Sequence, residues 1–123
     1  MKKWAFLFSG IVEVIGAIIV YFKPNLIFHN ELNVEIIYRL YAIALITIGM
    51  LCMLVVKNYA KNPLTDAIFL TIMFFHATIT IMTYSADTNI MQQPIHASLT
   101  HGLLFLVFVI AYLNDVKPQE KAK

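Results

Sequence analysis

Residues 4–22, WAFLFSGIVEVIGAIIVYF, form an apolar stretch that a single charged residue, Glu13, interrupts. An α-helix rises about 1.5 Å per residue, so about 20 residues cross the roughly 30 Å hydrocarbon core of a bilayer. The stretch therefore has the length and composition of a transmembrane helix. A cleaved signal peptide is disfavoured, because its apolar region is shorter and ends in small residues. Here Lys23, Pro24 and Asn25 follow instead.

Three similar apolar stretches follow along the chain. They lack the period-two alternation of transmembrane β-strands. The sequence therefore predicts an all-α integral membrane protein in which residues 1–123 form a single four-helix transmembrane domain. Short connections favour an up-down-up-down bundle. The four predicted spans cover about residues 4–22, 36–56, 67–84 and 97–113.

The composition excludes several classes of protein. Of the 123 residues, 60% are hydrophobic and 13% are charged, whereas soluble domains average about 45–50% apolar and about 25% charged residues. A soluble chain of this length could not bury so much apolar surface. The net charge of +2 is too small for a nucleic-acid-binding surface. Cys52 is the only cysteine, which excludes an intrachain disulfide and chemistry based on paired cysteines.

The lysines indicate an orientation. With four spans both termini lie on one side of the membrane, and cytoplasmic loops carry an excess of Lys and Arg. The opposite side has only Lys23, with Arg39 just inside the second span. Both termini are therefore predicted to be cytoplasmic. The lysines on the side of the termini are Lys2, Lys3, Lys57, Lys61, Lys117, Lys121 and Lys123.

Each predicted span contains one ionisable residue that is unusual in a membrane. These residues are Glu13, Arg39, His76 and His101, in chain order. A charged side chain near the centre of a membrane helix costs about 2.5–3.5 kcal/mol or more, so such residues are functional candidates. In an antiparallel bundle all four fall between the midplane and the outer surface.

Helical spacing places further polar residues on the same faces. Ser9 lies four residues before Glu13, and Thr80 lies four residues after His76, so each pair shares one helix face. Tyr41 is one of the tyrosines whose hydroxyls could lie near the outer rim. We expect a polar pocket that opens toward the outer half of the bundle. Its predicted ligand-binding residues are Glu13, Arg39, His76, His101, Thr80 and Ser9.

Simpler roles exist for the same residues. Arg39 could extend its long side chain to the outer headgroups. Glu13 could hydrogen-bond to one neighbouring helix and only hold the bundle together. His76 could do the same across a helix interface. These alternatives remain open at the level of sequence.

No cofactor or metal site is predicted. His76 and His101 could supply two axial ligands to a haem, as in four-helix membrane cytochromes. The predicted span boundaries, however, put His101 one to two turns nearer the outer surface than His76, which argues against a haem. His96 and His101 are five residues apart, about 140° around a helix, and so cannot share one metal ion.

Four short motifs carry a resemblance to a known family. The first half of the chain, residues 5–55, resembles the small four-helix membrane proteins of the DoxX-like superfamily, within it the uncharacterised group DUF4345. The motifs are GIVEVIG (10–16), FKP (22–24), RLY (39–41) and IGM (48–50).

The resemblance implies a single bundle in a bacterial cytoplasmic (inner) membrane. Members of the superfamily include subunits associated with quinone-linked sulfur oxidation, and distant members bind sterol-like or lipid-like molecules between their helices. The pocket carboxylate of those sterol-binding members would correspond to Glu13. His76 and His101 match no motif of the family.

The sequence favours a protein that binds a lipid, a quinone or another apolar small molecule in a polar pocket within the bundle. The first alternative is a structural or accessory subunit, homo-oligomeric or held by a partner membrane subunit, without ligand chemistry. The second is a proton- or ion-coupled transporter that uses Glu13 and the histidines. No nucleophile–base pair, phosphate loop or carboxylate pair is recognisable, which disfavours an enzyme. Membrane lipids are the expected surroundings, and nucleic acid is not an expected partner.

Overall fold

The computed structural model describes residues 1–28, 35–85 and 94–116, which form four long α-helices and a short 3₁₀ turn. All four helices are long and apolar enough to cross a membrane. The all-helical class and the four candidate spans agree with the sequence-based prediction. Of the lysines that indicate the orientation, Lys117, Lys121 and Lys123 lie outside the described residues. The helices are α1 (Lys2–Phe22), α2 (Glu35–Lys57), α3 (Pro63–Tyr84) and α4 (Pro94–Val116), and the turn Pro24–Leu26 follows α1.

Helices α3 and α4 begin earlier than the predicted residues 67 and 97. Each starts on a proline, Pro63 or Pro94, whose missing N–H is not needed in the first turn of a helix. Ahead of α3, the Asn62 side chain caps the helix by accepting a hydrogen bond of 2.8 Å from the Thr65 backbone N–H. Apolarity defines the membrane-crossing stretch of each helix, whereas proline and the cap define where the helix begins.

Two glycines bring α1 and α2 into close contact. A Cβ atom on Gly49 would lie 2.8 Å from Val14 Cγ2 and 3.1 Å from the Gly10 carbonyl oxygen. A Cβ atom on Gly10 would lie 3.1 Å from Cys52 Cβ. Glycine at both positions therefore allows the two backbones to approach, which is how many membrane helices associate.

An ion-pair cluster joins the helix ends at one end of the bundle. Lys2 Nζ lies 2.8 Å from Asp66 Oδ1 and 2.9 Å from Asp115 Oδ2. Lys61 adds a pair to Asp115 at 3.2 Å. The start of α1, the start of α3 and the end of α4 therefore lie together, as an up-down-up-down bundle requires. We call this part of the bundle, up to the level of Phe6 and Cys52, the terminal half.

The core of the terminal half is aromatic and tightly packed. Phe6, Phe69 and Phe108, from α1, α3 and α4, are fully buried. The Phe6 ring meets the other two rings edge-on, with centroid distances of 5.6 and 5.8 Å. Edge-on aromatic pairs stabilise a core beyond the area that they bury. This cluster holds three helices together through apolar rings.

The opposite part, the loop half, contains a smaller apolar core and most of the buried polar groups. It extends from Ser9 of α1 to the turn after that helix. Its apolar core consists of Ala17, Val20, Phe28, Ala42 and Leu45. These side chains are mostly small and come from α1, α2 and the segment after the 3₁₀ turn. The loop half therefore has a less aromatic core than the terminal half.

Candidate functional site

A buried carboxylate occupies the centre of the bundle. Glu13, midway along α1, is only 2% exposed. Its Oε1 atom is 3.5 Å from His76 Nδ1 on α3 and 3.5 Å from His101 Nδ1 on α4. Among the residues that the structure describes, Oε1 has no hydrogen-bond partner. A buried carboxylate oxygen without a partner is costly, so this atom marks a place where a bound group could compensate the cost.

The two histidines face each other beside this carboxylate. His76 Nδ1 and His101 Nδ1 are 3.1 Å apart, and both side chains are buried. The sequence-based expectation that these histidines lie at different depths is therefore wrong. Because α4 begins at Pro94 rather than near residue 97, His101 lies about one turn deeper than expected.

Each histidine is held from behind by a hydroxyl group. Ser9 Oγ lies 2.9 Å from His76 Nε2, and Tyr41 Oη lies 3.3 Å from His101 Nε2. Ser9 and Glu13 belong to α1, Tyr41 to α2, and the histidines to α3 and α4. All four helices therefore contribute to one polar cluster, which we call the Glu–His–His cluster: Glu13, His76 and His101, with Ser9 and Tyr41 behind the histidines.

Aromatic rings enclose the cluster. The Phe108 ring is 5.5 Å from the His76 ring, so the top of the terminal core forms the floor of the cluster. Phe75 meets both histidine rings, at 5.4 and 6.0 Å. These apolar walls keep the local dielectric low, which strengthens every electrostatic interaction of the enclosed polar atoms.

A cavity of about 240 Å³ borders the cluster on the loop side. Its polar end is formed by Glu13, Tyr41 and His101, and most of its remaining wall is apolar. Ile15 and Ile19 of α1 line it and are exposed on the bundle surface. The cavity therefore extends from a polar end in the bundle centre to the surface between α1 and α4. The other lining residues are Val12, Gly16, Val20, Ile27, Leu45, Ala97 and Thr100.

The structure brings together four of the six predicted pocket residues. Glu13 and His101 line the cavity, and Ser9 and His76 lie directly behind them. Thr80 lies instead at the α3–α4 interface, where its carbonyl oxygen accepts a hydrogen bond of 3.1 Å from Ser98 Oγ. Its own hydroxyl bonds to the His76 carbonyl oxygen one turn back.

Arg39 and Tyr41 occupy different faces of α2. Arg39 is exposed and does not line the cavity, whereas the Tyr41 hydroxyl lies in the cluster rather than at the outer rim. Two residues apart on a helix correspond to about 200°, so both side chains cannot face the same pocket. Arg39 therefore lies outside the predicted pocket.

The Nδ1 atoms of the two histidines are too close together to be the two axial ligands of one haem. Two axial nitrogens of one iron lie on opposite sides of a porphyrin, roughly 4 Å apart if each metal–nitrogen bond is about 2 Å. Here the nitrogens are 3.1 Å apart, the ring centroids are 5.4 Å apart, and the Glu13 carboxylate adjoins both.

Fold and site together define a small helical bundle with four candidate membrane spans and a buried Glu–His–His cluster. No protein-family model, no curated protein and no solved structure matches this chain. The resemblance of residues 5–55 to the DoxX-like superfamily therefore stays a prediction from four short motifs.

Proposed function

We propose that this chain is an integral protein of a bacterial cytoplasmic membrane that binds the head of an apolar small molecule, a lipid or a quinone, inside its bundle. The observation that carries the proposal is the cavity beside Glu13, Tyr41 and His101. A mostly apolar pocket with a few convergent polar groups is the usual form of a small-molecule site.

The volume of the cavity limits what can enter it. About 240 Å³ exceeds the roughly 150 Å³ of an engineered cavity that binds benzene. It is smaller than the roughly 300–1,000 Å³ typical of sites for whole drug-sized ligands. The site therefore suits one ring or one polar head, while the rest of the molecule lies between α1 and α4 and extends into the lipid.

The polar end favours a ligand with hydrogen-bonding oxygen atoms. The Tyr41 hydroxyl can donate to a carbonyl oxygen, and the Glu13 carboxylate can accept from a hydroxyl. A quinone offers carbonyl oxygens, which accept, whereas a quinol, a glycerol head or a sterol head offers hydroxyl groups, which both donate and accept. A pure hydrocarbon would leave these buried polar groups without partners, at a cost in affinity.

Ligand retention by a variant that fills the cavity tests the proposal. Ala97→Leu adds bulk to the cavity wall, whereas Ala44→Leu adds the same side chain to an exposed position on α2. After purification in mild detergent, native mass spectrometry is expected to detect one retained lipid or quinone per wild-type chain. We expect Ala97→Leu to lose at least about 90% of it and Ala44→Leu to keep it. No retained molecule, or equal retention by Ala97→Leu, would overturn the proposal.

The same mass spectra test for an accessory subunit, and a flux assay tests for a transporter. A defined oligomer or a co-purified partner subunit without a bound small molecule would favour an accessory subunit. Proton or cation flux in proteoliposomes that Glu13→Gln abolishes would favour a transporter. For the orientation we propose cytoplasmic termini, because seven lysines lie on that side of the four spans against Lys23 on the other.

A further inference from the structure

The geometry points to a binding site for a divalent transition-metal ion, Zn²⁺ in the first instance, in which Glu13, His76 and His101 are the ligands. The three side chains are all buried, and their candidate ligand atoms lie within 4.8 Å of one another. Glu13 and His101 also line the cavity, but this inference rests on the spacing of the three ligand atoms and not on the small-molecule proposal.

The spacing of the three atoms matches a metal's coordination sphere. Glu13 Oε1, His76 Nδ1 and His101 Nδ1 form a triangle with sides of 3.5, 3.5 and 3.1 Å. A point equidistant from such corners lies about 1.95 Å from each. Zn²⁺ binds imidazole nitrogen and carboxylate oxygen at about 2.0–2.2 Å, and it would therefore lie slightly out of the plane of the triangle.

The same triangle also indicates the coordination geometry. In a tetrahedron with bonds of about 2.05 Å, neighbouring ligand atoms are about 3.3 Å apart, whereas adjacent ligands of an octahedron would be about 2.9 Å apart. The observed sides of 3.1 and 3.5 Å fit the tetrahedral value better. Three protein ligands leave the fourth position open, as in zinc sites that bind water or a substrate.

The hydroxyl groups behind the histidines provide the orientation that a metal site needs. A ligating histidine usually donates its other N–H to a neighbouring acceptor, which fixes the ring and its tautomer. Ser9 Oγ is positioned to accept from His76 Nε2, and Tyr41 Oη from His101 Nε2. In that tautomer both Nδ1 atoms carry lone pairs that point toward the same centre.

The unpartnered carboxylate oxygen is a second, independent indication of a bound cation. Glu13 Oε1 is buried and lacks a hydrogen-bond partner in the described part of the chain. Without a cation, the hydrogen bond of 3.1 Å between the two Nδ1 atoms requires one of them to carry the proton. A cation between the three atoms satisfies the carboxylate and both nitrogens at once.

The ligand set limits which ions fit. Two imidazoles and one carboxylate suit Zn²⁺, Fe²⁺ and related first-row ions, and the same set with open positions occurs in non-haem iron enzymes. Mg²⁺ and Ca²⁺ prefer six or more oxygen ligands, which the cluster does not offer. The cavity borders on Glu13 and His101, so two of the three ligands lie next to open space.

Metal binding by the purified, chelator-treated protein tests the inference. Zn²⁺ is titrated against a chromophoric chelator, and Co²⁺ is added separately to read coordination number from its visible absorption. We expect about one Zn²⁺ per wild-type chain and the intense Co²⁺ bands of a four-coordinate site. X-ray absorption on the zinc-loaded wild type is expected to show two imidazole nitrogens and one or two oxygens near 2.0–2.1 Å. Absence of stoichiometric binding, or a coordination shell without imidazole, would overturn the inference.

Variants assign the ligands. His101→Gln and His76→Gln are expected to weaken Zn²⁺ binding more than about 100-fold, and Ser9→Ala, which acts through His76, by about 10–100-fold. His96→Gln, which changes an exposed histidine of α4, is expected to bind as the wild type does. Equal binding by His101→Gln, or equal loss in His96→Gln, would contradict the assignment. Far-UV circular dichroism establishes that each variant is folded before its Zn²⁺ binding is compared with that of the wild type.

The test separates the two proposals. Ala97→Leu leaves all three metal ligands in place, so it is expected to bind Zn²⁺ while losing the small molecule. His101→Gln is expected to lose the metal whatever the cavity retains. If only the small-molecule proposal fails, His101→Gln still loses Zn²⁺. If only the metal proposal fails, Ala97→Leu still loses the retained molecule.

Discussion

The terminal half and the loop half of the bundle use the same four helices in different ways. Around Phe6, Phe69 and Phe108, three helices meet through fully buried aromatic rings, and the ion pairs of Lys2 close the end. One to two turns further along, the same helices present Ser9, Glu13, His76 and His101 to one another and leave a cavity beside them. The difference indicates that the terminal half maintains the fold, whereas the loop half holds the groups from which function is expected.

The largest effect is expected in the aromatic core. Phe108→Ala removes a ring that contacts Phe6 and Phe69 at 5.8 and 4.7 Å, and it should lower the free energy of unfolding by about 3–5 kcal/mol. Phe74→Ala is the matched control, because Phe74 is 71% exposed on the same helix as Phe69. Its expected effect is within about 0.5 kcal/mol. Unfolding in mixed micelles with increasing SDS measures the free energy of unfolding of both variants. Similar losses in the two would contradict the role of the aromatic core in maintaining the fold.

An intermediate effect is expected where α1 and α2 cross between the halves. Gly49→Ala would bring a Cβ atom to 2.8 Å from Val14 Cγ2, so the helices must move apart at a cost of about 1–3 kcal/mol. Among the described residues, the Cβ atom of Gly102→Ala would meet Thr80 alone, at 3.5 Å from Cγ2 and 3.8 Å from Oγ1, and the substitution should be neutral or stabilising by up to about 1 kcal/mol. The same SDS titration compares them. A Gly49→Ala protein as stable as Gly102→Ala would indicate that the crossing is not tightly packed.

The smallest effect, and one of opposite sign, is expected at Glu13. In chelator-treated protein, Glu13→Gln replaces a buried carboxyl group, whose Oε1 has no hydrogen-bond partner among the described residues, with a neutral amide. It should raise the free energy of unfolding by about 1–2 kcal/mol. Glu13→Ala, which also opens a void, separates the effect of charge from that of volume. Stabilisation by a substitution at the centre of the site is typical of groups retained for function. A loss of stability in Glu13→Gln would instead make Glu13 a structural residue like those of the terminal half.

The four spans are predictable from the sequence because uninterrupted apolar stretches of this length are typical of membrane-crossing helices. The presence of one ionisable residue in each span is equally evident from the sequence. The pairing of these residues is not predictable, because it depends on the depth of each residue. A shift of three residues at the start of α4 moves His101 by about 4.5 Å along the helix axis. A proline closes a loop as readily as it opens a helix, so Pro94 alone does not reveal that α4 begins there.

The faces of the helices are harder to predict than their positions. In α2 nearly every residue is apolar, so no polar stripe distinguishes the face of Arg39 from that of Tyr41. Because Arg39 is charged, the sequence favours its face as the one that lines the pocket, whereas in the structure the face of Tyr41 does so. From the sequence, Lys2 indicates only the orientation of the chain in the membrane. In the structure this residue is 6% exposed, and its side chain pairs with two aspartates. Both outcomes depend on contacts between distant parts of the chain, which a single sequence does not display.

The Lys2 cluster also has a consequence for biosynthesis. Lys2 belongs to the first helix, whereas its partners Asp66 and Asp115 belong to the third and fourth helices, which are synthesised later. Until α4 has been synthesised and inserted, the nascent chain lacks the second carboxylate, and α1 cannot be fixed against the end of α4. Synthesis of α4 is thus the step that brings the second carboxylate to Lys2, and we expect shortened chains that end before Asp115 to be degraded faster because this lysine is incompletely neutralised. Pulse-chase turnover of such a chain, compared with Asp115→Asn at full length, measures that vulnerability; turnover as slow as that of the wild type in both would show that the cluster plays no part in it.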